Sequence, residues 1–116
     1  MEVETPACSA AASSDPALDS LMSRYTGPGA PAGEEIYLHT SPEFAMKRLL
    51  AAGAKAIYQV TRAFRGGESG RHHNREFTIV EWYRVGDSMA GAIQLLSELC
   101  DTLLNRGAAE RTTYGQ

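Results

Sequence analysis

Residues 56–84 read AIYQVTRAFRGGESGRHHNREFTIVEWYR. The two ends, AIYQVTRAFR (56–65) and EFTIVEWYR (76–84), are rich in β-branched and aromatic residues at a period of two. A polar, glycine-containing stretch separates them, so the whole predicts a long antiparallel hairpin. Just upstream, SPEFAMKRLLAAG (41–53) predicts a helix. Ser41 can cap it with Pro42 at the first helical position, or Thr40 and Glu43 can form a capping box. Met46, Leu49 and Leu50 give the apolar stripe and Gly53 the stop. EIYLHT (35–40) predicts a short strand, and residues 1–6 another, with Val3 and Thr5 alternating with Glu2 and Glu4 before Pro6. Residues 7–33, mostly Ala, Ser, Pro and Gly around LDSLMSRY, read as a surface connection with at most one helical turn. Downstream, Asp87 or Ser88 can cap a helix striped by Met89, Ala92, Ile93, Leu96, Leu99, Cys100 and Leu103, ending at Gly107. Strand, helix, hairpin and helix in that order predict an α+β domain on an antiparallel sheet.

The totals narrow the function. A chain of 116 residues with 43% apolar and 22% charged residues fits one small domain. A net charge of −3 argues against a general nucleic-acid or membrane binder, so any anion site is local. Cys8 and Cys100 suit reduced thiols and lack metal-ligand spacing. No apolar run approaches the ~18 residues of a membrane span, and the acidic opening MEVETPAC is unlike a signal peptide, which makes the cytoplasm the expected location.

The ionic residues cluster in the hairpin. Phe77, Ile79, Glu81 and Tyr83 share one face of the second strand, and Thr78, Val80 and Trp82 the other. If both faces are buried, the Glu81 carboxylate needs a cation. Two readings stand: an internal ion pair with Arg62, Arg65 or Arg84, or a ligand ammonium held beside Phe77 and Tyr83. Between the strands, Arg65, Arg71, His72, His73 and Arg75 surround Gly66, Gly67 and Gly70. Such a loop can grip a polyphosphate, and it can equally be a solvated hairpin tip. Zinc at His72 and His73 is disfavoured, because sequence neighbours on a strand point apart and His39 stands alone.

VETP, TSPEFAMKRLL, YQVTRAFR, GRHHNREFT and EWYR resemble, in order and spacing, class II lysyl-tRNA synthetases. They resemble more closely the truncated relatives of those enzymes, the elongation factor P lysine lysyltransferases, over Met1 to about Leu104. TSPE and the tryptophan of EWYR carry the choice between the two. The resemblance implies a partial class II catalytic domain over residues 1–107, with antiparallel sheet and flanking helices, and a tail over 108–116. EVETP matches the end of the first family motif, and FR through EWYR the second. The third motif, with its magnesium-binding acids, is expected outside this chain, so the 116 residues alone are expected to be inactive.

By the same resemblance, Arg65 contacts the ATP α-phosphate and the substrate carboxylate. Gly66, Gly67, His73 and Asn74 lie at the nucleotide, and Phe77 lies under adenine. Ser41, Pro42 and Glu43 face the amino acid, while Glu81 and Tyr83 line the lysine pocket. The implied chemistry is activation of lysine or β-lysine by ATP with Mg2+, then transfer to a lysine of elongation factor P by a homodimer. Two other readings are a lysyl-tRNA synthetase segment, which would engage tRNA, and a non-catalytic nucleotide- or partner-binding paralogue. Two departures from the family wording stand out. Gly66-Gly67-Glu68 replaces Asn-Glu after the arginine, which assigns the adenine-reading carboxylate to Glu68 on a shifted loop. Arg75 replaces a proline, which leaves the loop exit less rigid.

Overall fold

β4 (Ala56–Phe64) and β5 (Glu76–Arg84) pair in unbroken antiparallel register, from Ala56 opposite Arg84 to Phe64 opposite Glu76. The computed structural model describes residues 1–67 and 69–115. Ile57, Gln59 and Ala63 are buried on the inner face of the hairpin, where Phe77, Ile79, Glu81 and Tyr83 are half-buried. Its outer face is open: Thr78 is exposed, and Val80 is 49% exposed. The expectation of burial on both sides of β5 is therefore corrected. Glu81 lies on a half-buried face with one solvated side behind it.

The first residues form a single parallel bridge to β4, where a short independent strand was expected. Tyr58 N–H donates to Met1 O (3.0 Å) and Val3 N–H to Tyr58 O (2.9 Å). Residues 7–33 also depart from the sequence reading. They hold β1 (Cys8–Ser9), β2 (Met22–Gly27) and the start of β3 (Ala30–Leu38), joined antiparallel in the order β1-β3-β2. Pro28 and Gly29 make the tight turn of the β2–β3 hairpin, with Gly29 at φ +87° supplying the left-handed position. β2 is almost wholly exposed, so no apolar alternation marked it.

α1 (Glu43–Ala51) starts on Pro42 with no side-chain cap, which corrects both capping schemes; Ser41 Oγ lies at the 3.5 Å limit from Glu43 N. Its Met46 is fully buried, and Pro42 is buried beside it. The C-terminus closes as a Schellman motif: Gly53 N–H donates to Leu50 O (2.9 Å) and Ala54 N–H to Leu49 O (3.1 Å). Gly53 sits at φ +105°. Gly53→Ala is therefore expected to lower stability by about 1 kcal/mol, read as a lower urea midpoint at constant slope.

His39 ties the two sheets together. Its N–H donates to Ala7 O (2.9 Å), its carbonyl accepts from Phe64 N–H (3.0 Å), and its Nε2 donates to Arg62 O (2.6 Å).

Residues 86–116 form a second unit. Within it, α2 (Met89–Leu104) is capped by Ser88, whose Oγ accepts from Gly91 N–H at 3.1 Å. It ends on Asn105 in the left-handed region (φ 51°), two residues before the expected Gly107. Met89, Ile93, Leu96 and Leu103 of its apolar stripe are exposed. Among the described residues, no helix is long and apolar enough to cross a membrane.

Candidate active site

The hairpin aims Arg65 and Phe77 at one cavity. Arg65 follows β4 and Phe77 lies on the inner face of β5, so the pairing places the guanidinium 5.0 Å from the ring centroid. Arg65 Nε donates to Thr40 O (3.3 Å), and Arg65 N–H donates to Arg75 O (2.9 Å) across the neck of the loop. Arg65, His72, His73, Asn74 and Phe77 line a cavity of roughly 320 Å3.

His72, expected in the basic loop but not among the nucleotide residues, lines the same cavity as His73. Gly70 and His73 pair across a two-residue turn, Gly70 N–H to His73 O (3.1 Å) and His73 N–H to Gly70 O (3.3 Å). The rule that neighbours point apart belongs to strands and does not hold across that turn. Among the described residues, no group of three or more His, Cys, Asp or Glu side chains could hold a metal ion.

Gly66 and Gly67 do not line the cavity. Gly66 N–H donates to Asp19 O (2.8 Å), and a Cβ on residue 67 would lie 2.7 Å from Asp19 Oδ2. What lies closest to these two glycines is the chain at Asp19 and Leu21. Glu68 lies outside the described residues.

The expected amino-acid residues divide into two groups. Glu81 accepts a 2.7 Å hydrogen bond from the Tyr83 hydroxyl, and no basic side chain reaches ion-pair distance of it among the described residues. Of the internal ion pairs considered for Glu81, that with Arg62 is not formed: Arg62 pairs with Glu76 (3.6 Å) and bonds Thr78 Oγ1 (3.1 Å). Gln59, directly opposite Glu81, is buried and accepts from Thr5 Oγ1 at 2.9 Å. Burial first, then the bond to Glu81, then the negative charges of Glu81 and Glu43 push the Tyr83 hydroxyl well above its usual range.

Glu43 is thereby placed in electrostatic reach of Tyr83, although its carboxylate also pairs with Lys47 one turn along α1. That pair is surface-exposed and contributes a few tenths of a kcal/mol. Ser41 and Pro42 instead line a separate cleft of roughly 430 Å3, with Pro6, Cys8, Phe44 and Arg48. A raised folded-state value for Tyr83 means its contribution to stability is complete below about pH 10 and is lost as pH rises through that higher value. A spectrophotometric titration should therefore show a late-ionising tyrosine that is lost in Tyr83→Phe, apart from Tyr37, whose hydroxyl is also raised by its bond to Glu35.

The sequence profile of tRNA synthetases class II (D, K and N) matches residues 1–113. The chain belongs to this class II family. Its strands and helices are those of an α+β class II domain with antiparallel sheet. Within the family, it is similar to proteins named elongation factor P-(R)-β-lysine ligase. That of Vibrio campbellii is 49% identical over all of this chain and 36% of its own length. That of Pseudoalteromonas translucida is 51% identical over 98% of this chain and 35% of its own. That of Erwinia tasmaniensis is 50% identical over the whole chain and 36% of its own. The chain thus spans about a third of the length of the curated relatives it matches.

Proposed function

We propose that this chain supplies part of the catalytic core, residues 1–107, of a ligase that activates lysine or β-lysine with ATP and passes it to a lysine of elongation factor P. The observation that carries the reading is the cavity where Arg65, His73 and Asn74 converge beside the Phe77 ring, in a class II chain about half identical to three such ligases.

In this reading Phe77 carries the adenine ring, while Arg65, His73 and Asn74 meet the phosphates. Glu81 and Tyr83 receive one ammonium of the amino acid, and Glu43, with Ser41 and Pro42 shaping its turn, receives the other. The substrate carboxylate attacks the α-phosphorus, forming the acyl-phosphate bond as the bond to pyrophosphate breaks. Arg65 stabilises the charge that develops on the phosphoryl oxygens. The acceptor amine then attacks the acyl carbon and AMP leaves. Among the described residues no group of carboxylates or imidazoles could hold magnesium. A homodimer, cytoplasmic location and elongation factor P as protein partner belong to the same reading.

Activation is tested in a chimera, with this chain replacing the matching third of the Vibrio campbellii ligase. Pyrophosphate exchange dependent on lysine or β-lysine is expected, and a folded but silent chimera would overturn the reading. Because the family profile also embraces lysine synthetases, the acceptor needs its own test. Deleting the coding sequence in its host should remove an aminoacyl increment from the mass of elongation factor P. An unchanged mass with accumulating uncharged lysine tRNA would favour the synthetase alternative.

A further inference from the structure

We propose that Gln59 is a third oxygen ligand of the ammonium that Glu81 and Tyr83 receive, and that it makes the site select a primary ammonium over a methylated one. The inference rests on the amino-acid reading above and names a residue on the facing strand for it.

Three observations place Gln59 there. First, it lies directly opposite Glu81 in the β4–β5 register, which puts the two Cβ atoms about 5 Å apart on the inner face. Second, Gln59 is only 3% exposed, yet its amide is not sealed. No described residue accepts from its Nε2, while every described side-chain nitrogen or oxygen closed off from solvent has a partner. The amide therefore opens onto the face it shares with Glu81. Third, it is held by the 2.9 Å bond from Thr5 Oγ1 to Oε1. A threonine hydroxyl can donate or accept, so the amide keeps a bond to Thr5 when it turns over. Beside an empty carboxylate its NH2 end faces the opening, and a cation arriving there draws the oxygen instead.

The chemistry follows from matching donors to acceptors. The reading places the substrate carboxylate at the α-phosphorus beside Arg65. From the Ala63–Phe77 pair to the Gln59–Glu81 pair the inner face runs four residues, or about 13 Å. The ammonium at Glu81 is therefore the one at the far end of the amino-acid side chain. A primary ammonium carries three N–H donors, and any left unpaired on a half-buried face costs affinity. Glu81 Oε1 already accepts from Tyr83, which leaves Oε2, and the Tyr83 oxygen, having donated, keeps lone pairs with which to accept. The third acceptor is the Gln59 oxygen. Ile57 and Ile79, adjacent to this pair on the inner face, offer none.

Lysine and Nε-methyl-lysine are to be titrated by calorimetry into the 116-residue chain and its variants. The methylated amine keeps the charge and two N–H groups, so lysine is expected to bind about ten-fold more tightly, as befits one hydrogen bond to a charged group. Gln59→Leu keeps the bulk and removes the oxygen. Lysine should then weaken about ten-fold and Nε-methyl-lysine less than two-fold, which brings the two together. Thr5→Val combined with Gln59→Leu removes both polar partners, leaves no hydroxyl unpaired to disturb the fold, and should give the same equal binding. Gln59→Glu returns an acceptor oxygen and should keep lysine ahead. Lysine binding with no preference in the unmodified chain, or a preference that survives Gln59→Leu, overturns the proposal. So does an equal weakening of both amino acids with their ratio unchanged, which is the mark of a purely structural role. No lysine binding at all would overturn the amino-acid reading itself, and this inference with it.

Discussion

Replacing Arg65 with alanine in the chimera is expected to slow adenylate formation by about 10²- to 10³-fold, the range found when one donor to a developing oxyanion is removed. Arg65 is held at three points. Its peptide N–H bonds Arg75 O, its Nε bonds the carbonyl of the buried Thr40, and its guanidinium lies over Phe77. A side chain fixed in this way is already in place before the phosphoryl charge develops, so little reorganisation is needed at the moment of attack. Arg65→Lys should recover little of the lost rate, because an ammonium is a single point charge without the planar fork that meets two oxygens and packs on a ring. Pyrophosphate exchange measures the step directly. An unchanged exchange rate in Arg65→Ala would remove the residue from the chemistry.

How much of this was legible in the sequence depends on whether a side-chain pattern or a backbone contact decided each feature. The β4–β5 hairpin was readable because one face must be buried, and that requirement writes a period of two into 56–65 and 76–84. The same pattern overstated burial, since a strand rich in Val, Ile and Trp looks alike whether its second face is covered or open. The end of β3 was readable at 35–38, but β2 and the start of β3 were hidden, because β2 is almost wholly exposed and residues 30–34 alternate no apolar side chains, leaving the Pro28-Gly29 turn as the local signal. Arg65, His73, Asn74 and Phe77 line one cavity, and their proximity was legible because a strand and its turn fix them locally. Asp19 could not be found this way. It reaches Gly66 and Gly67 from more than forty residues upstream, through a carbonyl that no residue type announces. That Ser41 and Pro42 line a cleft with Pro6 and Cys8 was likewise invisible, because it joins residues more than thirty positions apart.

Glu81→Gln in the chimera should weaken binding of lysine or β-lysine by about 2 kcal/mol, or roughly thirty-fold, and leave ATP binding nearly unchanged. The substitution keeps the shape of the side chain and an oxygen that can still accept from the Tyr83 hydroxyl, so the half-buried face of β5 should survive it. What it removes is the negative charge. Among the described residues no basic side chain neutralises that charge, and the neighbouring Tyr83 hydroxyl, held protonated, donates to Glu81 and adds no positive charge. An ammonium arriving there would complete a charge pair partly screened from water, which places the expected loss above that of an exposed pair and below that of a fully desolvated one. Tyr83→Phe separates the two contributions. It removes one hydrogen bond and preserves the charge, so its expected cost is about 1 kcal/mol. Calorimetry with each ligand in turn decides the matter. Equal losses for amino acid and ATP in Glu81→Gln would mean that the carboxylate supports the fold of the hairpin, and that the ammonium is held elsewhere.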